Sequence, residues 1–215
     1  MKGEMRKMAK PKVISVKEAA DLIPDGATIA TAAFGLAGWP EEIALAMEEK
    51  FLKTGSPGNL THIHAAGIGD WKSRGECHWA HDGMLTKFIG SHAGSSPKLL
   101  KQISDNKILA WNFPLGTMLQ VFREMGRRAP GLLTKTGLGT FIDPRNDGGK
   151  LNPLTKEKGE DLVKYIPDFE GEEYLFFKPW KLDFGFMRGT TADENGNITC
   201  EKEALNLEML SVAQA

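Results

Sequence analysis

Three groups of residues in this 215-residue chain have the types and spacing to do chemistry. The first is Glu194, which stands directly before an Asn-Gly pair in TTADENGNIT, residues 190–199. A carboxylate so placed is either a nucleophile toward an activated acyl group or the corner of a hairpin, since Asn-Gly is the strongest short hairpin signal and suits a type I′ turn. The second is a set of zinc-ligand types: His62 and His64, two apart on one strand and so on one face, followed by Cys77, His78 and His81 in CHWAH. The paired spacings of a zinc ribbon are missing and no aspartate completes an obvious triad. The expectation is therefore no metal, with histidines in ordinary hydrogen bonds. The third is a series of glycine-dense segments, AAFGLAGWP, AAGIGDWKSRGECHWAH, GSHAGSSP, NFPLGT and TGLGTFIDPR. GIGDWKSRG lacks the Gly-Lys-Ser/Thr ending of a phosphate-binding loop, GLAGWP does not match a dinucleotide fingerprint, and no Gly-x-Ser-x-Gly elbow is present.

The elements that must position these groups alternate. VKEAADLIP reads as a short helix closed by Pro24, and DGATIATAAFG as turn, strand and glycine stop. Pro40 opens a helix whose Ile43, Met47 and Phe51 recur at i+4 spacing and whose far end is capped by Gly55. NLTHIHAAG and KFIGSHAG follow as strands, SPKLLKQISDN as a helix, KILAWNFP as a strand, and GTMLQVFREMGRRAP as a helix. GLLTKTG and KLDFGFMRG read as further strands, and CEKEALNLEMLSVAQA as a last helix with Leu205, Met209 and Val212 on one face. Such alternation predicts an α/β fold with a mostly parallel sheet covered by helices on both faces. The stretch 141–179, rich in Pro, Gly and charge, breaks the rhythm and reads as an irregular excursion or small antiparallel insert. In open parallel sheets ligands sit beyond the carboxyl ends of the strands, so the five glycine-dense loops are expected to converge on one rim, with Phe34 and Gly116 close enough to share a small-acid pocket.

Composition narrows the partners. With 27 basic against 28 acidic residues the net charge is −1, and no basic stripe interleaved with aromatics points to nucleic acid. No run approaches the ~18 apolar residues of a membrane span. The basic N-terminal dozen, expected to be a flexible lead, lacks the apolar run of a signal peptide, and two distant cysteines read as reduced thiols. The expectation is one cytoplasmic domain.

Taken together, the loops resemble a family. DGATIATAAFGLAGWPEEI is similar to the N-terminal signature of the family I coenzyme A transferases, with Asp25, Gly26, Phe34, Gly38 and Pro40 matching. Ala32 and Ala33 replace its paired glycines, and Thr31 falls where an apolar residue is usual. HAAGIGDWKSRG, IGSHAGSSPK, NFPLGTM, PGLLTKTGLGTFIDPR and GTTADENGNITCEKEA extend the resemblance, in order, to the acetate/propionate branch. The resemblance implies the α, or N-terminal, half of an enzyme with two similar α/β halves. It also implies ping-pong transfer through a glutamyl-CoA thioester whose glutamate lies in a Ser-Glu-Asn-Gly motif of the second, β half. It thus implies no catalytic residue in this chain and makes Glu194 a turn residue. No bound cofactor is implied, with the coenzyme A thioester as substrate, and the partner is the second half in a homo- or hetero-oligomer. Its acyl and oxyanion pocket would be lined by Phe34, Gly35, Gly38, Leu115 and Gly116. Gly67, Gly69, His92, Gly94, Gly137 and Gly139 would stand on the other rim loops.

Two departures carry expectations of their own. The family often has Gln where this chain has Leu115, so the pocket is expected to rely on the Gly116 N–H or another donor, and to favour apolar acyl groups. A half of this kind is also expected to run into a further strand after its last helix, so the chain reads as one domain, 1–215, truncated at its C-terminal end. The alternatives are a coenzyme A hydrolase on the same fold and a non-catalytic acyl-CoA or small-acid binding module.

Overall fold

A computed structural model describes residues 12–215, and the expected N-terminal lead falls, but for Lys12, outside the described residues. In chain order come α1 (Val16–Asp21), β1 (Thr28–Thr31), α2 (Glu41–Thr54), β2 (Leu60–His64), a 3-10 turn (Gly75–His78), β3 (Leu85–Gly90), α3 (Pro97–Ser104), β4 (Leu109–Asn112) and α4 (Leu115–Gly126). Then follow β5 (Leu132–Thr134), α5 (Pro153–Lys158), β6 (Val163–Phe169), β7 (Glu172–Phe177), β8 (Phe184–Phe186), β9 (Thr191–Ala192), β10 (Ile198–Thr199) and α6 (Met209–Gln214).

The main sheet has the order β4-β3-β2-β1-β8 and every pairing in it is parallel. Its strands are apolar on both faces, as a sheet covered on both sides requires. Ile29, Leu60, Phe88 and Ala110 pack with Met47 of α2 and Leu99 of α3 on one face. Ala30, Ile63, Ile89 and Trp111 pack with Met118, Val121 and Phe122 of α4 and Val212 of α6 on the other. The α/β architecture read from the sequence is the one observed. Local signals hold at several ends: Ser15 and Glu18 make a capping box at α1, and Gly55 ends α2 in the left-handed region at φ 76°.

Three elements differ from the sequence reading. GLLTKTG forms β5, but β5 pairs antiparallel with β7, which pairs antiparallel with β6. The insert therefore begins at β5, earlier than 141, and a three-residue strand carries too little pattern to declare which sheet it joins. The Asn-Gly hairpin exists as β9–β10, but Asn195 is not at positive φ whereas Gly196 is, at 81°. The connection is a loop organised by Asp193, which accepts the N–H groups of Asn195 and Asn197 at 2.9 Å each. The last helix is short: residues 200–208 are mostly turns, and only Met209 and Val212 of the expected face are fully buried.

Besides a backbone bridge between Trp111 of β4 and Lys150, a buried polar knot fastens the insert to the sheet. Asn152 Nδ2 donates to Ile103 O and Ile108 O at 3.0 and 2.9 Å, while its Oδ1 accepts from Thr155 N and Thr155 Oγ1 at 2.9 and 2.6 Å. Thr155 Oγ1 in turn accepts from Ala110 N in β4 at 2.7 Å. Asn152 is both the cap of α5 and the partner of two buried carbonyls, so its truncation strands several groups at once. Asn152→Ala should destabilise the chain by about 2–3 kcal/mol in urea unfolding; a loss under about 0.5 kcal/mol would show that the knot is replaceable by water.

Candidate functional site

Because every strand of the main sheet runs the same way, their carboxyl ends share one edge, and the loops leaving them are laced by backbone hydrogen bonds. Gly35 N donates to Gly67 O at 2.8 Å, and Gly69 N donates back to Gly35 O at 3.1 Å, joining the β1 and β2 loops. Trp71 N donates to Ser95 O at 2.8 Å, joining the β2 and β3 loops. Asn112 Nδ2 donates to Ser91 O at 2.6 Å and Phe113 N to Gly90 O at 3.0 Å, joining β3 to the exit of β4. The glycines make this approach possible. A Cβ on Gly69, whose φ is 140°, would stand 2.2 Å from Ser95 O, and one on Gly67 would stand 2.6 Å from the His92 ring. That ring also closes on Gly94, where an added Cβ would meet it at 2.8 Å.

Phe34, Gly35, Gly38, Gly67, Gly69, His92 and Gly94 are thus on loops that the structure brings together. Leu115 and Gly116 begin α4 at the same edge, directly after β4. Neighbouring strands lie about 4.8 Å apart, so the ends of β1 and β4, three steps apart, are separated by roughly 14 Å. Gly137 and Gly139 follow a strand of the small antiparallel sheet and so leave no strand of the main sheet, although the segment they open returns to the end of β4, where Asn112 N donates to Gly149 O at 2.8 Å. Their loop turns around buried Asp143 instead: its Oδ2 accepts from Gly139 N at 2.8 Å and its two oxygens take Arg145 Nε and Nη2 at 3.0 and 2.7 Å.

What the rim offers is backbone donors and apolar surface. Helix α4 has no side-chain cap; its first residues follow Pro114, and helix geometry leaves the N–H groups of Leu115, Gly116 and Thr117 without an intrahelical acceptor. An added Cβ at Gly116 would meet nothing within 4 Å, so this end is open to an incoming group. Such N–H groups, at the positive end of a twelve-residue helix, suit a developing oxyanion. On the rim loops Phe34 is 54% exposed and Trp71 68%, and Leu115 at the start of α4 is 36% exposed. Trp71 also holds a positive φ of 60°, unusual for a bulky residue. No sequence signal singled it out. Asp70, the only carboxylate on the loops leaving β1 to β4 before the 3-10 turn, is occupied, its Oδ1 accepting the N–H groups of Lys72, Ser73 and Arg74 at 2.9–3.1 Å.

Beneath the rim lies a buried polar group built on the expected His62–His64 pair, which sequence reading did not join to Glu76 or Thr31. Glu76 Oε1 accepts from His62 Nδ1 at 2.5 Å and His64 Nε2 at 3.1 Å, and His62 Nε2 meets Thr31 Oγ1 at 2.9 Å. Thr31, His62, His64 and Glu76 are all at most 1% exposed. The remainder of the expected histidine–cysteine set does not join them. Cys77 faces Lys72 O and Ser96 Oγ, while His78 and His81 reach Glu48 at 2.5 and 2.6 Å. Thr31 had registered only as a departure from an apolar position, and Glu76 had no partner visible in the local sequence. Glu194 is exposed at the tip of the β9–β10 loop, far from any comparable burial.

Burial alone would raise the Glu76 carboxyl, but the His64 and His62 rings and the N–H groups they donate outweigh it and hold it at about 2. Burial also lowers His62, against the pull of Glu76. Both folded values lie below the unfolded ones, so the unfolded chain binds more protons and stability is lost as the pH falls. The loss should begin below the ordinary histidine range and continue through the carboxylate range toward pH 2. Urea midpoints measured from about pH 7 down to about pH 3.5 should therefore decline, with Glu76→Gln removing much of the decline below about pH 5. A midpoint that stays level would contradict this.

The chain belongs to the coenzyme A transferase family, whose model matches residues 13–215. It is 50% identical over 204 residues to a caffeate CoA-transferase of Acetobacterium woodii, an alignment covering 95% of this chain and 38% of that protein. Its fold superposes with a TM-score of 0.90 and 37% identity on the apoenzyme of the acyl-CoA transferase YdiF from Escherichia coli O157:H7, covering 96% of this chain and 41% of that one. The same protein has been solved as a thioester complex with CoA, at the same TM-score and coverage. The alpha subunit of a Clostridium acetobutylicum acetoacetyl-CoA:acetate/butyrate CoA transferase is 29% identical over 86% of this chain and 74% of its own length. The chain thus spans about 38% of the length of the caffeate enzyme but about three quarters of a separate alpha subunit. No helix among the described residues is long and apolar enough to cross a membrane.

Proposed function

We propose that this chain is the α, or N-terminal, half of an acyl-CoA:carboxylate coenzyme A transferase, lining the acyl pocket and stabilising the oxyanion while the second half supplies the nucleophile. The observation that carries the reading is the rim itself: uncapped α4 N–H groups beside apolar side chains, with its one loop carboxylate, Asp70, already engaged. Such a surface has donors, and its carboxylate is tied to the backbone of its own loop through Oδ1. It suits a reaction in which a glutamate of the second half attacks the acyl-CoA thioester carbonyl and displaces the CoA thiolate. The thiolate then attacks the glutamyl carbonyl of the resulting anhydride, releasing the first carboxylate and leaving a glutamyl-CoA thioester. A second carboxylate reverses these steps and leaves with CoA. Each attack places negative charge on a carbonyl oxygen, where fixed N–H donors act most strongly.

Glu194 is unsuited to be that nucleophile, because it is exposed on a loop whose hydrogen bonds all converge on Asp193 and not on it. The test is incubation of the purified chain with acyl-CoA, borohydride trapping and mass analysis, alone and with the second half. The expected result is an unmodified chain alone, and label on the partner's glutamate once both halves are present. Modification of Glu194 in the chain alone, abolished by Glu194→Gln, would overturn the reading.

The acyl group favoured by this rim is an apolar monocarboxylate, of the acetyl or propionyl kind or larger. Leu115 puts an apolar side chain at the start of α4, and Phe34 and Trp71 add exposed apolar surface on the β1 and β2 loops. The name of the caffeate enzyme adds an aromatic acid to the acceptors worth testing. In the assembled enzyme, Leu115→Gln should lower kcat/KM for propionate-like acceptors relative to succinate-like ones by about tenfold, the order of one hydrogen bond to a charged group. A parent enzyme that already prefers the dicarboxylate would refute the assignment.

A further inference from the structure

Thr31, His62 and Glu76 stand in the order hydroxyl, imidazole, carboxylate, with contacts of 2.9 and 2.5 Å. That is the order of a hydrolytic triad, but no acyl carbon reaches Thr31 Oγ1, since all three residues are sealed beneath the rim. Trp39 and Trp79 pack against the His62 ring at 5.9 and 4.9 Å, and Phe88 against His64 at 5.2 Å. The arrangement is also thermodynamically expensive. Glu76 Oε2 and His64 Nδ1 are buried without a hydrogen-bond partner among the described residues, and a buried charge held through one oxygen is rarely the most stable filling for such a space. Packing alone does not account for it.

Its placement does. Thr31 is the last residue of β1, immediately before the loop that carries Phe34, Gly35 and Gly38; His62 and His64 fall in the last three residues of β2, immediately before the loop that carries Gly67 and Gly69. Glu76 lies in the 3-10 turn to which that second loop returns. One carboxylate oxygen therefore ties the start and the return of the β2 loop and, through His62, the start of the β1 loop. Glu76 also fixes the ring. With His62 Nδ1–H donating to the carboxylate, Nε2 is left to accept the Thr31 hydroxyl proton, and both strand ends are held in one register.

We propose that Glu76 is a positioning residue for the rim, acting through His62 on Thr31 to set the β1 and β2 loops against each other. The proposal rests on the transferase reading only for its kinetic consequence; the relay itself is tested without activity. In the 215-residue chain, imidazole nitrogen NMR should show His62 carrying its proton on Nδ1 with Nε2 as acceptor. Glu76→Gln should disturb that pattern, and Thr31→Val should shift the Nε2 resonance. In the enzyme assembled with its second half, Thr31→Val and Glu76→Gln should each lower kcat at least tenfold with the acyl-CoA KM within about threefold. Thr31→Ser, which keeps the hydroxyl, should recover most of the rate. The relay is overturned if His62 carries its proton on Nε2 alone. The positioning role is overturned if Thr31→Val, folded and assembled, keeps kcat within twofold of the parent, or if Thr31→Ser loses as much rate as Thr31→Val. A parent assembly with no transferase activity and an intact His62 pattern would refute the transferase reading and leave the relay standing.

Discussion

Five parallel strands that end at one edge hand their chains to loops whose backbone N–H and C=O groups have no further strand to pair with among the described residues, and the rest of the structure follows from how those groups are satisfied. A buried unpaired amide costs as much as a lost hydrogen bond, so the loops pair with one another: β1 loop to β2 loop through Gly35, Gly67 and Gly69, and β2 loop to β3 loop through Trp71 and Ser95. Side chains would prevent these approaches, which is why glycine recurs there. The exception is α4. Its first N–H groups are left over at the rim, without a side-chain cap, and an unspent donor at the open end of a helix is what an acyl-transfer site needs.

The two faces of the sheet contribute differently. Helix α4, helix α6 and the small sheet bury a continuous apolar surface that includes Trp111, Phe122 and Phe177. The opposite face, under α2 and α3, is apolar except where β1 and β2 end, and there it holds the Glu76 cluster. The polar group is therefore confined to the layer from which the rim loops spring. Arg74 and His78 surround it on the outer side, both bonded to Glu41 of α2, so the same 3-10 turn is also pinned from without.

Much of this was legible in sequence because it is local. The i+4 apolar spacing of α2, its terminal Gly55, and the alternation of strands with helices each follow from a few neighbouring residues, and they define the sheet and its two covered faces. The glycine-dense loops were legible for the same reason, and the loops after β1 to β4 lie at the edge where parallel strands place them. What was not legible depends on distant pairing. The three residues of β5 could enter either sheet, and only their pairing with Leu175, Phe176 and Phe177, more than forty positions on, decides it. The β9–β10 turn looked like a two-residue connection because the Asn-Gly signal is strong, whereas Asp193 reorganises it by collecting N–H groups. Glu76 was invisible because its meaning lies in His62 and His64, fourteen and twelve positions away. The one available sign was Thr31, a hydroxyl at an apolar position.

In the transferase proposed above, the loops after β1, β2 and β4 of this chain together contact the acyl end of a coenzyme A thioester. Amide hydrogen exchange on the enzyme assembled from both halves, with and without a non-reacting thioether analogue of acyl-CoA, tests it most directly. Exchange should slow in the segments spanning 32–40, 67–75 and 113–118, with the insert spanning 141–179 unchanged. Protection confined to the insert, or absent from all three rim segments while the analogue is demonstrably bound, would contradict it.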